Sequence, residues 1–270
     1  MIGNLKKNKK LGLALGSGAF RGFAHLGVIR VLEKNNIPID FLSGCSVGAW
    51  VAAHYSIFRD IDRLEEELLG DLKKGILAFL DPSLVGGFVG GQKLHKRLEE
   101  SLGRRNFSDL YIPLKIVATD LVSGGSFVFK EGSVSRAVRA SISVPLFFKP
   151  LEHEGHLLVD GALSNPVPVE AVNDLGAGLS VAVNLYHQNE FVKRKFTISK
   201  VALRSSRIFM HNLAKADVAA ASIVITPDCS SIVRQEGWRK YFTLKVAKDL
   251  ISIGEEAAAK AVPSIKKLLS

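Results

Sequence analysis

The sequence predicts an α/β fold of three layers, α/β/α, with a mostly parallel central sheet flanked by helices. Three observations predict it. Short apolar runs of strand length alternate with stretches of helical period from the start of the chain, the pattern of parallel strands joined by crossover helices. One run, Leu114–Leu121, is nearly all apolar, as a central strand buried on both faces must be. No internal repeat, linker or shift in composition breaks the 270 residues, 47% of them hydrophobic and 23% charged.

The elements follow in order. Lys10–Leu15 reads as a buried strand ended by Gly16-Ser17-Gly18. Over Phe20–Lys34 the residues Phe23, Leu26, Val28, Ile29 and Leu32 recur near helical period, and Asn35-Asn36-Ile37-Pro38 stops the helix. Phe41–Ser43 is a second short strand and Val47–Ile57 a helix rich in Ala and Val. Charged helices over Ile61–Lys74 and Gln92–Leu102 flank a glycine-rich apolar loop, Asp81–Gly91. Its Leu84–Gly91 portion reads as a lid or lipid-docking edge, or as an ordinary packed connection. Strands Leu114–Leu121 and Ser126–Phe129, a helix over Val134–Ser143, and a strand Leu157–Val159 entering Asp160-Gly161 come next. A helix over Pro168–Leu175, a strand Leu179–Leu185, a long amphipathic helix Ile198–Ala216, a strand Ile223–Ile225 and a helix Phe242–Ala261 complete the series. The expected organisation is a basic tail, residues 1–9, followed by one domain, residues 10–270.

Composition narrows the class. Cys45 and Cys229 form no disulfide framework and no metal-ligand spacing, so neither a metal nor another cofactor is expected, and the compartment is expected to be reducing. Lys6, Lys7, Lys9 and Lys10 precede an apolar stretch that ends after Leu15, too short for an export signal. No run approaches the roughly 18 apolar residues of a membrane span. A cytoplasmic protein is expected. The net charge of +10 fits either a solvated basic surface or attraction to an anionic partner. Scattered cations without a nucleic-acid-binding signature argue against nucleic acid and leave peripheral contact with an anionic membrane, at its inner face, as the sharper reading. Oligomeric state is not legible.

Gly44-Cys45-Ser46-Val47-Gly48 follows a strand and opens a helix. In that context G-x-S-x-G holds a serine on a sharp turn with its hydroxyl exposed and a helix N-terminus favouring negative charge beside it. The other reading is a glycine-rich turn whose serine caps the helix. A nucleophilic serine needs oxyanion donors and a base. The turn Gly16-Ser17-Gly18-Ala19-Phe20-Arg21-Gly22, at the end of the first strand, offers backbone N–H groups unshielded by large side chains. Its rival reading, a nucleotide cradle, fails on spacing, because Gly22 falls one residue late for G-x-G-x-x-G and Asp40 precedes its strand. Two bases compete. Ser46, Asp160 and His187 have the chain order of an α/β-hydrolase triad, but only one strand and one helix precede Ser46. The second candidate is Asp160 alone, delivered by an apolar strand into a glycine turn.

At these three places the sequence resembles the patatin-like phospholipase family, which carries in this order a glycine-rich turn ending in Arg/Lys-Gly, G-x-S-x-G, and Asp-Gly-[Gly/Ala]. Here they are Gly16–Gly22, Gly44–Gly48 and Asp160-Gly161-Ala162. Ile116–Leu121, Ala137–Ser141, Pro145-Leu146-Phe147, Asn165–Pro168 and Ile253–Ala257 also look like family segments, so the resemblance spans nearly the whole chain. It implies a patatin-like fold and a Ser46–Asp160 dyad without histidine. It further implies an oxyanion hole from Gly16, Ser17, Gly18 and Ala19, supported by Arg21, Gly22, Gly44, Gly48, Gly161 and Ala162. The family's triple glycine is Ser17-Gly18-Ala19 here, and Arg21 is expected to brace the loop. The implied activity is hydrolysis of fatty-acyl esters, phospholipid or lysophospholipid, through an acyl-enzyme. The alternatives are an acyltransferase or thioesterase on the same elbow, which typically carries histidine where Val47 stands, and a non-catalytic regulatory protein retaining the fold.

Overall fold

The computed structural model describes residues 9–74, 81, 87–192, 197–234 and 243–270. Most of the basic tail, the Leu84–Gly86 part of the apolar loop and Phe242 lie outside the described residues. The elements are β1 (Leu11–Leu15), α1 (Phe23–Lys34), β2 (Phe41–Cys45), α2 (Val47–Phe58), α3 (Ile61–Lys74), α4 (Gln92–Leu102), β3 (Leu114–Asp120), β4 (Ser126–Phe129) and α5 (Val134–Ser141). They continue with β5 (Leu151–His153), β6 (His156–Asp160), α6 (Val169–Asn173), β7 (Leu179–Val183), α7 (Ile198–Asp217), β8 (Ile223–Ile225), α8 (Ser230–Val233) and α9 (Leu244–Leu269).

The sheet runs β5-β6-β3-β2-β1-β7-β8, with β4 paired to β3 outside that path. β3, β2, β1, β7 and β8 are parallel, while β4, β5 and β6 are antiparallel additions. Alternate residues of β1 divide the core, as a strand's period of two requires. Leu11, Leu13 and Leu15 enter the large core, with residues from α1, α2, α5 and α9. Ala14 enters a smaller core with Ala182, Val167, Val169, Val172, Tyr186 and Ala214 beneath α6 and the end of α7. The three expected layers are present, unequal in depth.

Some expected boundaries moved for physical reasons. The helix expected from Phe20 begins as a 3-10 turn, Ala19–Gly22, and becomes α-helical only at Phe23. Pro168 stands before α6 as its N-cap, so that helix is five residues long. α9 runs on through Pro263 to Leu269, well past the expected end at Ala261. The strand β5 was not foreseen; it pairs antiparallel with β6 across a turn at Glu154-Gly155, both with positive φ. Asp40, considered for a ribose, instead accepts the Leu11 N–H at 2.7 Å, at the amino edge of the sheet. Among the described residues, no helix is long and apolar enough to cross a membrane.

α1 and α9 cross at two glycines. A Cβ on Gly27 would strike the Ile251 carbonyl, and one on Gly254 the Ala24 carbonyl, so the two backbones touch. Gly70, inside α3, has nothing within 4 Å of the corresponding position. Gly254→Ala is therefore expected to destabilise the fold by about 1–3 kcal/mol through overpacking. Gly70→Ala is expected to stabilise it by about 0.5–1 kcal/mol through the entropy of the unfolded chain. Denaturant midpoints of the two variants against the parent check both signs.

Candidate active site

The site forms where two strands arrive from opposite directions. β2 pairs parallel with β3 as far as Cys45 opposite Val117, and β6 pairs antiparallel with β3 with Asp160 opposite Ala118. The chain leaving β2 and the chain leaving β6 therefore meet over consecutive residues of one strand. Ser46 and Asp160, 114 residues apart in sequence, are brought into contact by that register, and Ser46 Oγ donates to Asp160 Oδ2 at 2.6 Å. Both are buried, at 7% and 4% exposure.

Close approach explains the glycines. Ser46 has φ 54° and ψ −124°, a conformation rare for an L-residue and costing on the order of 1–3 kcal/mol. A Cβ on Gly44 would strike Ala49, one on Gly48 the carbonyls of Leu15 and Gly16, and one on Gly161 the Val117 carbonyl. Gly22 leaves room for Val47 in the same way. The Ser46 N–H donates to Ser141 Oγ at 2.7 Å, and Ser141 Oγ donates to the Val117 carbonyl at 2.6 Å. The strained turn is thus tied back to β3 through α5.

The Asp160 carboxylate accepts the Ala162 N–H on Oδ1 at 2.9 Å. Its main chain is also held, because Asp160 N–H donates to the Ser143 carbonyl and Thr119 Oγ1 donates to the Asp160 carbonyl. Burial disfavours its charge more than the bonds from Ser46 and Ala162 favour it, and its pKa rises from 3.8 to about 6.

The glycine-rich turn faces this pair, with a correction. Gly16 N–H donates to the Val183 carbonyl and Ser17 N–H to the Pro166 carbonyl, so neither is free to meet an oxyanion. Each amide has one proton. The N–H groups of Gly18 and Ala19, by contrast, bond no described residue. Ala19, at φ 51°, lines the same cavity as Ser46. Ser17 instead binds Tyr186 Oη through its hydroxyl at 2.7 Å. Arg21 braces the turn as expected, donating from Nε to the Gly18 carbonyl and from Nη1 to the Leu185 carbonyl, each at 3.0 Å. It pairs with buried Glu190 at 2.5 Å and stacks over Tyr186 at 4.6 Å.

His187 is not part of the site. Its Nδ1 accepts the Asn189 N–H at 3.1 Å and lies 3.6 Å from Asp228 Oδ1. No histidine among the described residues bonds Ser46 or Asp160. His25 bonds the Gly16 carbonyl at 2.7 Å, and burial drives its pKa down to about 4. Ser141, Ser143, Tyr186 and Glu190 carried no warning in the sequence beyond the family-like segment that contains Ser141, because their roles are fixed by contacts distant along the chain.

A cavity of about 310 Å³ opens at Ser46 and runs between α2, α3 and α4, lined by Ala19, Phe23, Trp50, Val51, Leu68 and Phe148 among others. Its charged lining residues, Asp71 and Arg97, face each other at 2.8 Å. Phe148 lines it, whereas Phe147 is exposed. Two larger surface cavities, of about 410 and 530 Å³, contain neither Ser46 nor Asp160 nor any residue of the glycine-rich turn. No group of three metal-binding side chains occurs among the described residues.

This geometry has counterparts. The family model for patatin-like phospholipase matches residues 13–173, taking in all three motifs. The chain is 33% identical over 213 residues to an uncharacterised NTE family protein of Mycobacterium tuberculosis, an alignment covering 78% of this chain and 59% of that protein. It is 30% identical over 187 residues to human patatin-like phospholipase domain-containing protein 6, covering 67% of this chain and 14% of the human one. The chain thus spans about three fifths of the mycobacterial relative and a small part of the human one. The crystal structure of VipD from Legionella pneumophila superposes with a TM-score of 0.53 at 12% identity, covering 96% of this chain and 67% of that one, a likeness of fold. With 161 residues under one family model (173 − 13 + 1), in a chain of 270, the protein belongs to the patatin-like phospholipase family.

Proposed function

We propose that this chain is a serine acyl hydrolase that cleaves fatty-acyl esters, with membrane phospholipid or lysophospholipid as its substrate class. Residues 10–270 act as one hydrolase domain, and its place of action is the cytoplasm. The observation that carries the reading is the 2.6 Å bond from Ser46 Oγ to Asp160 Oδ2 at the mouth of an apolar cavity.

The steps follow from the groups at hand. Asp160 takes the Ser46 hydroxyl proton as Oγ bonds to the ester carbonyl carbon, and the carbonyl oxygen becomes an oxyanion. The N–H groups of Gly18 and Ala19, with the N-terminus of α2, stabilise that charge. The tetrahedral centre collapses, the ester C–O bond breaks, and Asp160 returns the proton to the leaving alcohol. Water, deprotonated by Asp160, then releases the fatty acid and restores Ser46. The acyl chain occupies the cavity between α2, α3 and α4. Carboxylate basicity is the weak point of such a dyad, and the burial that lifts Asp160 to about 6 supplies part of what histidine supplies elsewhere.

Four outcomes are expected. Ser46→Ala and Asp160→Asn should each lose ester turnover by several orders of magnitude, and a fluorophosphonate should label the parent but not Ser46→Ala. Near-full activity in Asp160→Asn would end the dyad. Because the base must be ionised, kcat/KM should fall about tenfold per pH unit below about pH 6. The same raised pKa has a stability sign. The folded state holds this proton more tightly than the unfolded chain, so its contribution is complete below about 3.8 and is lost as pH rises through about 6. Asp160→Asn should therefore be more stable than the parent at neutral pH, by up to about 3 kcal/mol in denaturant unfolding, and the gap should close in acid. Finally, Leu68→Trp should fill the cavity. Turnover of long-chain esters should drop about tenfold or more while an acetyl ester is spared, read as the ratio of kcat/KM values.

A further inference from the structure

The cavity at Ser46 is not uniformly apolar. Its α3 wall carries Leu68, Asp71 and Leu72, and its α4 wall carries Leu94 and Arg97, at helical spacings that put each set on one face. A wall for a plain hydrocarbon chain needs only the leucines. Arg97 Nε donates to Asp71 Oδ2 at 2.8 Å and Nη2 to Glu67 Oε2 at 3.2 Å, where Glu67 also accepts the Ser101 hydroxyl at 2.6 Å. The Arg97 and Asp71 side chains are 13% and 12% exposed. A guanidinium carries five N–H donors, and those of Arg97 Nη1 have no partner among the described residues.

The α2 wall repeats the pattern. The main-chain N–H of Trp50 donates to the Ser46 carbonyl at 3.3 Å, so Trp50 stands one turn beyond Ser46, about 6 Å farther along the helix axis. It lines the cavity, yet its indole Nε1 is buried and bonds no described residue. Buried donors without acceptors are rare, because each forfeits the hydrogen bond that water would give. A plain hydrocarbon chain laid in this cavity leaves the indole N–H and Arg97 Nη1 unanswered and strips water from a charged pair. A chain that bears an oxygen answers them.

We propose that the cavity selects acyl chains carrying a hydroxyl group, with Arg97 and Trp50 as the residues that read it. The inference deepens the hydrolase reading and rests on it for the placing of an acyl chain between α2, α3 and α4. A hydroxyl oxygen has two lone pairs for the Arg97 and Trp50 donors and one proton for the Asp71 carboxylate. A charged chain end fits less well. Arg97 already faces the carboxylates of Asp71 and Glu67, and like charge disfavours a third on the ligand. The hydroxyl belongs part-way along the chain and not beside the ester, since Trp50 lies a helical turn from Ser46.

The test compares p-nitrophenyl decanoate with its hydroxydecanoate isomers, the hydroxyl moved carbon by carbon, so that chain length and leaving group stay fixed. At the matching position kcat/KM is expected to exceed that of the plain ester by about tenfold or more, because the plain chain leaves polar groups of the site unpaired. Trp50→Phe keeps the ring and loses the N–H, and Arg97→Lys keeps the charge and loses the planar fork of donors. Each should lower the ratio of hydroxylated to plain ester about threefold or more. Taken within one variant, that ratio is insensitive to a loss of overall turnover. A parent ratio near one at every position, or a preference that survives both substitutions, would overturn the proposal. Calorimetric binding of the free acids separates it from the hydrolase reading. A parent that binds hydroxydecanoic acid more tightly than decanoic acid yet cleaves no ester would count against the hydrolase and leave the selectivity standing. Turnover of all the esters without discrimination would do the reverse.

Discussion

Most of what is distinctive here depends on β3 serving two partners along one stretch. β2 approaches it in parallel and stops at Cys45, and β6 approaches it antiparallel and stops at Asp160, so two chain reversals must share the space above Val117 and Ala118. Side chains do not fit in that space, which is why Gly44, Gly48 and Gly161 surround it with backbone packed on backbone. The positive φ of Ser46 is the remaining strain of that crowding, held by the bond to Ser141. α5, whose Ser141 holds the elbow, the glycine-rich turn and the brace from Arg21 to Glu190 keep the two reversals in register.

Electrostatics at the site follow from the same crowding. Asp160 is buried with a hydroxyl and one amide as partners and no cation among the described residues, which leaves its charge under-supported and its proton affinity high. Elsewhere burial acts with the opposite sign. The imidazoles of His25 and His54 are pushed down to about 4 and stay neutral at ordinary pH, His25 bonding the Gly16 carbonyl and His54 packing against Phe58. Burial thus raises the carboxylate's pKa and lowers those of the imidazoles.

The sequence made legible whatever is local. Gly44–Gly48 between a strand and a helix, the apolar run into Asp160, and the periodicity of α1, α2 and α4 each state their geometry within a few residues. What the sequence left open depends on partners distant in the chain. The N–H groups of Gly16 and Ser17 looked available, and only the approach of Val183 and Pro166 occupies them. Glu190 is an ordinary acid until Arg21 reaches it across 169 residues. The period of α7 was correct, but periodicity reports two faces without saying which one the fold covers, and here apolar residues lie on both. β5 escaped notice because three residues, Leu-Glu-His, are too short to carry an alternating signal.

The crossing of α1 and α9 at Gly27 and Gly254 bears on the order in which the molecule assembles. α1 begins directly after the turn that carries Gly18 and Ala19, and its outer side is closed by the last helix of the described chain. Contacts of such wide sequence separation form late, since loop closure must precede the gain from packing. A nascent chain therefore lacks the platform beneath that turn even after both Ser46 and Asp160 have been synthesised. The platform is complete only once α9 has packed on α1.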